Sequence, residues 1–445
     1  MDVKNVLLSV FGTCAAISFA AEVPVVTVTG FTQADDRTVT VKYKLENAPA
    51  VVTMDVETNG PNGWVSIGGE AICGTYGAAP TGDVWKKITE DGADYTITWH
   101  PDLTWADHKI TDNGARVVVT AWALDNTPDY MAINLVQSGD DAIRYYPGAE
   151  YVPGGVLGNK AYRTTSLLMR KIMAKGVTYT MGASATEIGY NGAKEDFREV
   201  DMTNNFYIGV FEVTQAQWSQ VNGSPNECSF TTDPLMRPVE SITYSAIRGN
   251  NNFLYPLAPG GWIGLLNSSF PGMDFDLPNE TQWEWACRAG NPLGYWGNGL
   301  PITIKDSCPN CPGRYKGGYC SATDRTAVTP HEQVAADTDP RKGGTAICGS
   351  YEPNSWGLYD MHGNVWEYTN DWHTENVEAL KPFRGATNAD GSKMLIDGTV
   401  SKRHLRGGSY SYAANFCRSA TRHTSELATK RNYVGFRLIC RGGLK

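Results

Sequence analysis

Between residues 22 and 135 apolar and polar side chains alternate with period two, which a half-buried strand requires and a helix cannot satisfy. Residues 23–29 read VPVVTVT, 38–44 TVTVKYK, 51–57 VVTMDVE, 95–99 YTITW and 117–122 VVVTAW. Turn signals separate them at Asp35-Asp36, Asn59-Gly60 and Asn113-Gly114. Several short strands at this spacing predict an antiparallel sandwich. Trp99 and Trp122 are expected in its core, where large rings bury the most area. His100, His108, Asp102 and Asp107 are expected to be loop polar residues, not a metal cluster.

The alternation stops near residue 135. Residues 136–165 follow, punctuated by Tyr146-Pro147-Gly148 and Pro153-Gly154-Gly155, and read as a linker. Residues 166–445 form a second domain with a different grammar. Glycine and proline supply 70 of the 445 residues, roughly a third above the usual share. The chain is therefore loop-rich, with 35 Trp and Tyr residues to anchor the loops.

Lys and Arg number 38 against 47 Asp and Glu, with no basic block, so no nucleic-acid partner is expected. Residues 1–20 combine Lys4, an apolar run over 6–16 and a small-x-small site at Ser18-Phe19-Ala20. That pattern predicts a secretory signal cleaved after Ala20. No later stretch approaches the ~20 apolar residues of a membrane helix. The expected location is secreted, periplasmic or cell-surface, with no transmembrane segment. Cys14 leaves with the signal, and nine of ten cysteines remain. In an oxidising compartment they predict disulfides, with at least one thiol left over. Cys308 and Cys311 are spaced as zinc ligands are, but Cys320 and Cys348 lie too far apart to form a second such pair, which favours disulfides.

From about residue 168 to 441 a series of motifs appears. Met181-Gly182 comes first, then Phe206-Tyr207-Ile208-Gly209 leading to EVTQAQW at 212–218, and Arg237-Pro238-Val239. LPNETQWEWA at 277–286 and GLYDMHGNVWE at 357–367 follow. Arg406-Gly407-Gly408-Ser409-Tyr410, Arg418-Ser419-Ala420 and Gly435-Phe436-Arg437-Leu438 close the series. In content and order it resembles the formylglycine-generating enzyme, or sulfatase-modifying factor, family. The resemblance implies a variant of the C-type lectin fold. The chain is thus expected to be multidomain: an N-terminal all-β sandwich of Ig or fibronectin type, then an α+β C-type-lectin-like domain. Local signals agree. A helix is expected over 212–222 with Thr214 as N-cap, and another over 279–288, capped by Asn279 or Thr281 and ended by Gly290. Trp218, Trp283, Trp285 and Trp366 are expected in the core.

Enzymes of that family oxidise a sulfatase cysteine to formylglycine, using copper held by two cysteines that follow the Gly-Gly-Ser turn. Soft thiolates suit Cu(I). Counted forward from Ser409 the corresponding positions are Tyr412 and Cys417, so the first ligand is missing and copper is not expected; counted back from Arg418-Ser419-Ala420 the loop is about three residues shorter and Cys417 falls at a different position. Cys417 is either a disulfide staple, with Cys440 or another partner, or half of an altered catalytic site. The resemblance also implies a calcium ion held by the side chains of Asp360 and Glu367 and the backbone oxygens of Met361, Gly363 and Val365. Two carboxylates with several carbonyls suit an ion that takes six to eight oxygens. A second family calcium site would fall near Gly313-Arg314-Tyr315, where Arg314 replaces an oxygen ligand. His362 is expected at the surface or behind the calcium ligands.

Two functional readings follow. In the first, the lectin-type scaffold presents loops that bind a protein or glycan through Tyr410, Tyr412, Asn415, Phe416, Arg422, His423, Arg431 and Tyr433. Tyr, Asn and Arg dominate adaptable contact surfaces. The same region resembles the variable segment of lectin-fold proteins diversified by retroelements. The alternative is a formylglycine-generating oxidase, or another enzyme acting on protein cysteine. The replacement of the first cysteine by Tyr412 favours the first.

Overall fold

The computed structural model describes residues 22–442 apart from 75–77, 109–113, 188, 232–233, 250–259, 292–312, 314–343, 374–401 and 413. The expected signal at 1–20, the Cys308/Cys311/Cys320 group and Arg314 lie outside the described residues. No helix among the described residues is long and apolar enough to cross a membrane.

Each alternating run of the first domain is a strand. They are β1 (Val25–Gln33), β2 (Val39–Glu46), β3 (Ala50–Gly60), β4 (Gly63–Ser66), β5 (Thr81–Gly82), β6 (Lys86–Ile88), β7 (Gly92–Trp99) and β8 (Ala115–Ala123). One sheet runs β1-β2-β7-β5; the other runs β4-β3-β6, with β8 also on β3. The period-two pattern does what it predicts. Val39, Val41, Tyr43 and Leu45 of β2 are fully buried and cluster with Val52, Met54 and Val56 of β3. Each such side chain contributes roughly 1.5–3 kcal/mol by leaving water. Trp99 is fully buried. Trp122 is only partly buried, and its indole N–H donates to Thr53 Oγ1 at 2.8 Å. Asp102 pairs with Arg37, and the His100 ring meets Thr38 Oγ1, as loop polar groups do.

The second domain holds β9 (Tyr130–Asn134), β10 (Ile143–Tyr146), β11 (Ser166–Ile172), β12 (Thr178–Met181), β13 (Arg198–Asp201), β14 (Phe206–Gly209) and β15 (Phe275–Asp276). After them come β16 (Trp366–Trp372), β17 (Lys402–Arg406), β18 (His423–Glu426), β19 (Val434–Gly435) and β20 (Ile439–Cys440). A six-stranded sheet runs β10-β9-β11-β14-β20-β15, and a four-stranded sheet β18-β17-β16-β19.

Residues 136–165 differ from the expected linker. They contribute β10 to the six-stranded sheet, and Tyr146, Tyr151 and Val152 are buried in a cluster with sandwich residues such as Trp85 and with Leu168, Phe211 and Tyr359. The Gly and Pro residues mark turns between buried pieces, so the two domains share one core.

Four α-helices lie among the described residues of the second domain. α1 (Gln215–Asn222) begins with a capping box between Thr214 and Gln217. α2 (Tyr244–Arg248) and α3 (Trp262–Ser269) follow. α4 (Glu280–Arg288) repeats the capping box with Asn279 and Gln282. Each box satisfies two backbone N–H groups that the first turn leaves unpaired. α4 ends at Ala289, not Gly290: Ala289 takes the left-handed conformation (φ 48°), and its N–H bonds back to Trp285 and Ala286. Trp218, Trp283, Trp285 and Trp366 are buried as expected.

The expected disulfides do not appear among the described residues. Cys73, Cys228, Cys287, Cys348, Cys417 and Cys440 are thiols. Their surroundings explain it. Cys440 Sγ donates to the Met273 carbonyl at 2.7 Å, Cys348 faces Glu212, and Cys73 lies within the sandwich core.

Candidate functional site

Residues 357–367 fold sharply. Gly357, Asp360, Gly363 and Asn364 all have positive φ. The turn buries Asp360, which is 2% exposed. Its Oδ2 accepts the Gly349 N–H at 2.6 Å, while Oδ1 has no hydrogen-bond partner among the described residues. Glu212, two residues before the α1 cap, reaches the same place. Its Oε1 accepts the Val365 N–H at 3.2 Å, and its Oε2 accepts Asn364 Nδ2 at 2.5 Å. Cys348 Sγ stands 3.5 Å from Glu212 Oε2. Ligand atoms of Glu212, Cys348 and Asp360 all lie within 4.8 Å of one another. Burial, reinforced by the neighbouring carboxylates, pushes the Glu212 carboxyl well above its ordinary range. Burial likewise pushes Asp360 up to about 6.

Glu367 does not join them. Its oxygens accept Arg437 Nε at 3.1 Å, Arg437 Nη2 at 2.8 Å and Trp283 Nε1 at 2.7 Å. The lone pairs expected to hold calcium are therefore taken, and a guanidinium in contact repels a dication. The residues present do not fit calcium on the implied set of Asp360, Met361, Gly363, Val365 and Glu367. His362 is not at the surface. It is 4% exposed, with Nδ1 2.8 Å from the Cys417 carbonyl.

Beyond β17 the chain turns at Gly407 and Gly408, both with positive φ. A Cβ on Gly408 would lie 2.3 Å from Cys417 Sγ, so only glycine allows this approach. Cys417 is fully buried beneath the turn, and burial pushes its thiol up to about 12. A thiol held protonated and enclosed is a poor nucleophile. Tyr412 occupies the other position. Its ring lies 5.4 Å from Trp366 and 5.5 Å from each of Phe416, His423 and Tyr433. A phenol in an aromatic cluster and a buried thiol do not fit a copper dithiolate.

Of the expected contact residues, Tyr412, Phe416, His423 and Tyr433 thus form one aromatic cluster. Phe416 is 39% exposed, the other three are half-buried, and the exposed Arg431 lies over Tyr433 at 5.8 Å. Tyr410 turns to another neighbour and packs edge-on to Phe230. Asn415 is half-buried, and its carbonyl accepts Arg418 Nε. Arg422 is not a surface contact. Its side chain is 7% exposed and forks onto the buried carboxylate of Glu280.

The Glu212–Cys348 contact escapes sequence reading because 136 residues separate its members. Glu212 is visible only as the start of a helix motif and Cys348 only as a cysteine to be paired. The signal at 360–367 marks the Asp360 loop, but nothing in it points to Glu212.

Residues 161–441, more than half of the chain, match the Sulfatase-modifying factor enzyme 1-like domain. The formylglycine-generating enzyme of Mus musculus is 28% identical over 295 residues, 58% of this chain and 72% of its own length. That of Streptomyces coelicolor is 31% identical over 166 residues, 36% of this chain and 45% of its own. Among solved structures, Treponema denticola variable protein 1 is similar over 62% of this chain and 96% of its own, with a TM-score of 0.41 and 23% identity. By the span of that domain match, the chain belongs to the sulfatase-modifying factor enzyme 1-like family.

Proposed function

We propose that this chain is an exported binding protein of the family, one that holds a protein or glycan ligand on the aromatic patch around Tyr412 and does not oxidise cysteine. The observation that carries this reading is the place of Tyr412. Where the family has its first copper thiolate, this chain has a phenol ring among four other rings. The patch suits binding. Aromatic faces pack on sugar C–H groups and apolar side chains, and the guanidinium of Arg431 adds a planar fork of donors. Tyr and Arg carry much of the binding energy at protein surfaces. Export through residues 1–20 belongs to the same reading. So does diversification of the 409–433 segment, whose mark would be a near-copy of its coding DNA close by, differing at adenines; absence of that copy removes this part.

The test is a glycan array, with a displayed-peptide library beside it, probed with the mature chain and with a Phe416→Ala/Arg431→Ala double variant. Binding by the first and its loss in the second, at unchanged melting temperature, is expected. Equal binding by both would overturn the placement of the site.

A further inference from the structure

We propose that Glu212, Cys348 and Asp360 form a buried site for one thiophilic dication of the zinc class, held by one thiolate and two carboxylates. This is independent of the ligand-binding reading above.

Three observations carry it. The first is spacing. Zinc bonds of roughly 2.3 Å to sulfur and roughly 2.0 Å to oxygen, at a tetrahedral angle, place the two atoms roughly 3.5 Å apart. Cys348 Sγ and Glu212 Oε2 are 3.5 Å apart, and all three ligand atoms fall within 4.8 Å of each other. The second is the Asp360 Oδ1 atom, which is buried and has no hydrogen-bond partner among the described residues. A buried carboxylate oxygen left unpaired is costly, and a cation satisfies it. The third is the support around the ligands. The Gly349 N–H holds Asp360 Oδ2, and Asn364 Nδ2 and the Val365 N–H hold Glu212. Arg163 Nη1 bonds the Cys348 carbonyl at 3.0 Å, and Arg437 Nη2 bonds the Tyr359 carbonyl at 2.7 Å. Such contacts fix ligand orientation before the ion arrives.

A thiolate and two carboxylates bring three negative charges, and a dication leaves one. Any protons on the ligands pass to solvent on binding. A thiolate selects against calcium, which takes oxygen ligands in larger number.

Cobalt(II) is the probe. The full mature chain, stripped with chelator and titrated with cobalt(II), is expected to develop a thiolate-to-metal charge-transfer band that saturates at one equivalent and is bleached by zinc. Cys348→Ser should abolish the band. Because Cys348 is buried, Asp360→Asn provides a second variant: it should keep the band but weaken cobalt affinity at least tenfold. No band, a band that survives Cys348→Ser, an affinity unchanged in Asp360→Asn, or a melting temperature raised by calcium as much as by zinc would each overturn the assignment.

Discussion

The ring of Tyr412 stands edge-on to Trp366, with centroids 5.4 Å apart and planes at 86°. Trp366 is fully buried and Tyr412 half-buried, so this pair joins the protein core to the proposed contact surface. Edge-to-face rings gain from the fit of a positive edge to a negative face, beyond their buried area.

Tyr412→Ala should therefore destabilise the fold by about 1–3 kcal/mol, the range for removing a large, partly buried ring. Tyr412→Phe should cost less, about 1 kcal/mol, for the hydroxyl's contacts with Tyr433 and with His423 Nε2 at 3.4 Å. Urea unfolding of the two variants checks both values.

Arg437 and Glu367 form a pair that is almost wholly shielded from water. Arg437→Met leaves a buried carboxylate without its cation and should cost about 3–5 kcal/mol. Adding Glu367→Gln should recover part of that loss. A double-mutant cycle by urea denaturation gives the coupling, and no recovery would assign Arg437's contribution to its backbone partners, the carbonyls of Gly209, Val210 and Tyr359.

His404 on β17 gives the fold a pH dependence. Burial pushes its imidazole down to about 3. Glu280 on α4 opposes that shift, while Arg422 ahead of β18, His373 beyond β16 and Arg406 on β17 add to it. The unfolded chain, with an imidazole near 6.5, takes up the proton first. Stability from the neutral ring is thus full above about pH 6.5 and is lost as pH falls from there toward 3, by up to ~1.4 kcal/mol per pH unit. Urea midpoints across that window should fall less steeply in His404→Gln than in the parent. Titrating groups not coupled to His404, Asp360 among them, are common to both proteins and cancel in the difference.

The sandwich was legible because alternation in 38–44 and 51–57 is a local signal that burial obeys directly. The helix caps at Thr214 and Asn279 were legible for the same reason: a cap is a contact three residues long. Residues 136–165 misled, because Gly and Pro announce turns but say nothing of what packs between them, and Tyr146 and Tyr151 are buried only through partners far along the chain. The aromatic cluster around Tyr412 was half legible. Side-chain type placed Tyr412, Phe416, His423 and Tyr433 together, but could not show that Glu280 claims Arg422. The cluster of Glu212, Cys348 and Asp360 was least legible, since three segments meet to make it and only the 360–367 segment carries a motif.

The central claim is that Tyr412 marks a family member without cysteine oxidase chemistry. The direct measurement is incubation of the purified mature chain with a sulfatase-motif peptide, copper and oxygen, followed by mass spectrometry of the peptide. The expected result is a peptide with its cysteine intact and no aldehyde. Turnover to formylglycine would contradict it.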